Sequence, residues 1–235
     1  MLNKIIYLLI VIFITSCSSN QIKSPTSQYD KSSVNQFAKT DFDRMADLEI
    51  RENLQSLEIL ALKLYKRNPN QLKKTTQDDA EKMVNWIFHG DHSDQFEQLQ
   101  NKIDVECLNL VFDESFNGDR VLALIIGLKT MLLESHGNKT DFYLFDKLDP
   151  QNIYNVARNL EVVMWKLSSK KMVNGEPFLI SNSINENEQN LSFEREFGKI
   201  IGRTDYFAYT LSEKTERTIA TAVPSVSTRL FLPFI

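Results

Sequence analysis

Histidine, cysteine, glycine and proline are all scarce in this chain, at three, two, seven and six residues in 235. Two cysteines cannot build a disulfide scaffold or a paired C-x-x-C metal site. So few turn residues argue against an all-β chain, and 42% hydrophobic residues argue against a disordered one. No block of positive charge exists and the formal net charge is −4, so electrostatics provide no case for nucleic acid or for a polybasic membrane patch. The recurring enzyme signatures are missing too: there is no G-x-S-x-G, no G-x-x-x-x-G-K-S/T and no H-E-x-x-H. No internal repeat occurs, which disfavours a solenoid. No apolar run reaches the ~20 residues that a membrane-spanning helix needs.

What is present begins with a leader. Lys4 precedes ten consecutive apolar residues, 5–14. That length suits the apolar region of an export signal. The usual Ala-x-Ala-like cleavage site is absent. Instead, Ile14-Thr15-Ser16-Cys17 resembles the lipobox of bacterial lipoproteins. The resemblance implies that the Cys17 sulfur receives a diacylglycerol, that residues 1–16 are removed, and that Cys17 becomes the acylated first residue. Two or three acyl chains anchor stably, because each buried CH₂ contributes about 0.8 kcal/mol and one chain alone is marginal. Ser18 rather than Asp follows the cysteine, which in that family implies the outer membrane, and we expect the protein to face the periplasm. Lipidation of Cys17 leaves Cys107 without a disulfide partner, in an apolar setting that suits a buried thiol. Removing Lys4 with the leader lowers Lys+Arg from 27 to 26 against 31 acids, a mature charge of −5.

Residues 17–40 read as the lipidated cysteine and a flexible tether, rich in Ser, Asn, Gln and Lys. A flexible chain of that length has a root-mean-square span of roughly 25 Å. Residues 41–235 read as a single helical domain. Helical spacing predicts helices over 41–66, 77–88, 119–136, 149–169 and from 192 to Pro224, with a helical stretch at 93–115 broken near Asn101. Asp149-Pro150 is a strong helix start. Thr76 and Asp79 form a candidate capping pair. Residues 121–128 are apolar on every side, with Met131-Leu132-Leu133 beyond. This predicts a central helix, because 13 residues rise only ~20 Å and Lys129 interrupts them. Gly127 within it would let a neighbour approach closely. Residues 170–190 are irregular, with a short extended piece at 178–180, and the apolar tail 230–235 plugs the core or docks a partner. The expected fold is therefore all-α, an irregular helical bundle around the 119–136 helix.

Candidate chemistry is thin. His89, Asp91 and His92, with Asp94, form the only local cluster of metal-type ligands, but Gly90 keeps the histidines off one helix face, which favours a solvated loop. Tyr154, Arg158, Glu161 and Trp165 share a face at i, i+4, i+7 and i+11. They read either as a groove in which Arg158 grips an anion or as an ion-paired packing face. Glu194, Arg195 and Glu196 open the last helix, where acids suit the dipole and no catalytic partner is evident. Gly198 and Gly202 form a G-x-x-x-G pattern, which among charged residues suggests close packing within the chain. No cofactor is called for.

The mature region resembles uncharacterised helical lipoproteins of proteobacteria around residues 191–199, a resemblance that brings no activity with it. The combined expectation is a lipid-anchored envelope protein that binds or scaffolds. Its partners would be the membrane, through Cys17, and an envelope protein, and no nucleic acid. The alternative is a metal-dependent envelope enzyme using His89, Asp91 and His92.

Overall fold

A computed structural model describes residues 39–144, 146–184, 189–221 and 230–233. The leader, Cys17 and the expected tether through Ala38 lie outside these residues. Among the described residues the fold is all-α, with seven helices and one two-residue antiparallel pair.

Helix α1, Asp41–Arg67, begins at a reciprocal cap. Thr40 Oγ1 accepts the Asp43 N–H at 3.2 Å, and the Asp43 carboxylate accepts the Thr40 N–H at 2.7 Å. Acids in the first turn and Lys66 and Arg67 in the last both suit the helix dipole. Ile50, Leu57, Leu60, Ala61 and Leu64 are fully buried. Leu48 is 42% exposed, and Glu49, Asn53 and Ser56 occupy part of the inward face. Asn68 ends the helix and fastens a distant segment: its amide donates to the Ile180 carbonyl and accepts the Ile180 N–H. The neighbouring Phe178 and Leu179 are thereby held in the core.

After the short α2, Pro69–Leu72, helix α3 spans Ala80–His89. Its cap is Asp79, whose side chain accepts the Lys82 N–H, so the helix starts three residues later than expected and Thr76 only braces the preceding turn. The expected 93–115 helix is shorter as well. A single 3-10 turn, Glu97–Leu99, precedes α4, Asp104–Val111. Asp94, Gln100, Asn101 and Asp104 all take positive φ, a left-handed backbone that cannot continue a right-handed helix.

Helix α5, Arg120–Ser135, is the core. Every residue from Arg120 to Leu128 is buried. A helix end buried this deeply needs partners for its free N–H groups. Asp119 supplies them by accepting from Val121 and Leu122, and its other oxygen accepts from the Tyr65 and Thr75 hydroxyls. Burial raises the Asp119 carboxyl above its usual range, against the pull of those bonds. Arg120 turns back onto α4, donating to the carbonyls of Leu110, Val111, Asp113 and Phe116. It thus satisfies the free carbonyls at the end of that helix. Gly127 admits α4: a Cβ there would meet Leu108 Cδ2 at 2.8 Å and the Asp104 carbonyl at 2.9 Å. Cys107 is buried on the same helix, and desolvation pushes its thiol up to about 12.

Helix α6, Pro150–Ser169, starts at Asp149 and Pro150 as expected. Between α6 and the last helix the chain turns at Gly175 and forms the pair β1 (Ser183–Ile184) and β2 (Gln189–Asn190), rather than an extended piece at 178–180. Helix α7, Ser192–Thr215, packs along α6 and α1. It ends well before Pro224, because Glu216 takes φ 53° and the Arg217 N–H turns back to the Ser212 carbonyl. Ala222 and Pro224 lie outside the described residues. Gly198 and Gly202 face open space, so the G-x-x-x-G pattern is not a close-packing surface here. The described part of the tail, 230–233, docks on α6: Asn159 bonds both the N–H and the carbonyl of Leu232, and Asn155 donates to the Pro233 carbonyl.

Two predictions follow from this packing. Gly127→Ala should overpack the α4–α5 contact and cost about 1–3 kcal/mol in urea unfolding. Gly198→Ala, with nothing near its new methyl, should gain about 0.5–1 kcal/mol. Equal effects at the two sites would refute the close approach at Gly127. The second prediction concerns pH. Burial, aided by the neighbouring Glu134 carboxyl, raises Asp104 to about 7. The unfolded chain releases that proton at about 4. Between these values the folded chain binds more protons, so stability should fall as pH rises from about 4 to 7. Asp104→Asn should flatten this part of the profile by a few degrees in melting temperature.

Candidate functional site

An open cleft of about 370 Å³ lies at one end of the bundle. Three segments build it. The first turns of α1 contribute Phe42, Asp43 and Ala46. The loop after α5 contributes Phe142, Leu144, Asp146, Lys147 and Leu148, and the end of α7 contributes Leu211, Lys214, Thr215 and, just beyond it, Arg217. The loop is fastened to α1 through Asp47, which accepts the Phe142 N–H at 2.7 Å and pairs with Lys39.

The cleft has an apolar floor and a positively charged rim. Its two acids are already engaged. Asp43 closes the Thr40 cap. Asp146 pairs with Lys139 and accepts the Tyr143 N–H, and the Lys139 ammonium holds its carboxyl below the usual range. Of the three cations, Lys214 sits 3.6 Å from the centroid of the Phe42 ring, an attraction between ammonium and π-face. Arg217 reaches Asp149 at 3.4 Å. Lys147 is exposed and has no ion-pair partner among the described residues.

The floor continues inward as an aromatic stack. Phe42 stacks on Phe207 at 5.5 Å, and Phe207 stacks on His136 at 5.8 Å with the planes 10° apart. Phe142 meets the same imidazole at 5.9 Å. His136 is fully buried. Its Nδ1 lies 2.9 Å from the Leu132 carbonyl, which can only accept, so Nδ1 carries a hydrogen. Its Nε2 lies 2.9 Å from Glu49 Oε2. Neither atom of that contact has an aligned hydrogen bond among the described residues. The other Glu49 oxygen accepts from Asn53 and from the Thr204 hydroxyl. Arg203 completes the cluster by donating to Asn53 Oδ1, the Glu52 carbonyl and Ser56 Oγ.

The residues singled out in sequence lie elsewhere. His89 is exposed and contacts Glu58 at 3.4 Å. His92 uses both nitrogens locally, Nε2 on the Trp86 carbonyl and Nδ1 on the Asp94 N–H. Asp91 is exposed, and Asp94 pairs with Lys129. Among the described residues no group of three or more His, Cys, Asp or Glu could hold a metal ion. Arg158 sits between Glu161 and Asp205 and over the Tyr154 ring, and Tyr154 itself is buried against Tyr209. Trp165 is half-buried further along α6. This face is therefore the α6–α7 seam rather than a groove. Glu194 and Arg195 are exposed, whereas Glu196 is buried between Lys63 and Lys199. The cleft and the buried cluster were missed because their parts come from opposite ends of the chain. The one available signal was polar residues at Glu49 and Asn53, on the mostly apolar inner stripe of α1.

Comparison of the chain with protein-family models, with curated proteins and with solved structures finds no match.

Glu49→Gln should unbalance the buried hydrogen-bond network with Asn53 and Thr204 and cost about 1–3 kcal/mol in chemical unfolding. Adding His136→Gln should cost less than the sum of the single losses, since contacting residues couple. Strict additivity would show that the two side chains do not interact.

Proposed function

We propose that the chain is a lipid-anchored helical module of the cell envelope, held by acyl chains on Cys17 in the outer membrane on its periplasmic side, and that it works by binding. The observation that carries this reading is Ile14-Thr15-Ser16-Cys17 behind Lys4 and ten apolar residues. Among the described residues no helix is long and apolar enough to cross a membrane. The folded domain begins at α1, whose first turn forms one wall of the cleft.

Cells expressing the chain and fed radioactive palmitate should label it. Cys17→Ala should abolish the label and leave a longer precursor. Unchanged labelling and processing of Cys17→Ala would defeat the lipid-anchor reading.

A further inference from the structure

We propose that the cleft at the α1–α7 end binds a single-chain anionic amphiphile, with its carboxylate or phosphate head between Lys147, Lys214 and Arg217 and its chain against Phe42, Phe142 and Leu148. The inference deepens the binding role proposed above by naming the class of ligand.

Charge balance is the first support. Five charged side chains line the cleft, three cations and two acids; Asp43 accepts hydrogen bonds from the Thr40 N–H and hydroxyl, and Asp146 is ion-paired with Lys139. With Asp146 paired to Lys139 and Arg217 to Asp149, Lys147 and Lys214 outweigh Asp43, so the rim keeps an excess of positive charge within a chain whose net charge is −4. An anion entering here gains charge-assisted hydrogen bonds and releases no buried partner of the same sign. Lys147 needs no rearrangement, because it has no ion-pair partner among the described residues.

Apolar shape is the second support. Phe42 and Leu148 are only partly buried and pack on the core, while Phe142, Ala46 and Leu211 close the floor beneath them. Leu144, 61% exposed, also lines the cleft. Such a surface is costly to leave wet and gains when a chain covers it, about 25 cal/mol for each Å² buried. A fully hydrophilic anion would use the rim and leave the floor empty. The cleft, about 370 Å³, lies at the lower end of the range for small-molecule sites, which suits one short chain better than a two-chain lipid.

The floor is also rigid. Phe42 and Phe142 rest on the Phe207–His136 stack, and His136 is locked by Leu132 and Glu49. The site is therefore preformed, and binding loses little in ordering these side chains.

Equilibrium dialysis of the mature full-length protein in non-ionic detergent tests the proposal, with radiolabelled dodecanoate and dodecyl phosphate as separate probes. Dodecanol and inorganic phosphate serve as the head-less and chain-less controls. Either amphiphile should bind at about one per chain, and binding to both would leave the head group as carboxylate or phosphate. Lys147→Gln/Lys214→Gln should weaken binding at least tenfold while a cooperative urea transition is retained, its midpoint lowered only by the lost contact of Lys214 with the Phe42 ring. Lys147→Arg/Lys214→Arg should restore it. Binding that ignores the lysine substitutions, or that dodecanol or inorganic phosphate reproduces, overturns the proposal. No binding of either amphiphile overturns it as well. Palmitate labelling at Cys17 is independent of these outcomes, so a labelled protein that fails to bind refutes the ligand and leaves the anchor standing.

Discussion

Helix α5 is apolar on every face, and it can be stable only if something covers each of them. A one-sided amphipathic helix needs one partner. Here α4 lies against Gly127, while α1 and α6 take other sides. The buried start of the helix adds a second demand, because its free N–H groups have no water to bond. Asp119 answers it, and Tyr65 and Thr75 hold Asp119 in place. Arg120 then carries the solution outward by satisfying the open carbonyls at the end of α4 and in the turn beyond it. One enclosed helix thus dictates where four other segments lie.

The α1–α7 seam follows a different logic. Its apolar residues would tolerate more than one sliding position. Glu49, Asn53, Thr204 and Arg203 would not, because their hydrogen bonds close only in the observed register. Buried charge of this kind adds little net stability, and its removal from one side is costly. It selects an alignment. That same alignment brings the end of α7, with Lys214 and Arg217, across from Phe42 and so forms the cleft.

The helices that were legible in the sequence are those with strong local chemistry. Asp149-Pro150 set the start of α6, and Thr40 with Asp43 set that of α1. In the stretch 93–115 the break near Asn101 was legible but the loss of helix on either side of it was not, since Asp94, Gln100, Asn101 and Asp104 take left-handed backbone without being glycine. Helix α7 was overestimated for a related reason: Ile219 and the residues before it keep helical spacing, but Glu216 turns left-handed and Ile219 reaches the core from outside the helix. His89, Asp91 and His92 are neighbours in sequence that face different partners in space.

The sequence by itself determined the helical class, the central place of α5 and the buried state of Cys107, because hydrophobic periodicity and the absence of turn residues act locally. It also holds the lipobox-like stretch on which the anchor is proposed. Only the tertiary structure decided that His136 meets Glu49, that Arg158 belongs to a helix seam, and that Phe42, Lys147 and Arg217 share one cleft. These are long-range pairings, set by how closed packing around α5 aligns elements far apart in the chain, and no local pattern encodes that alignment.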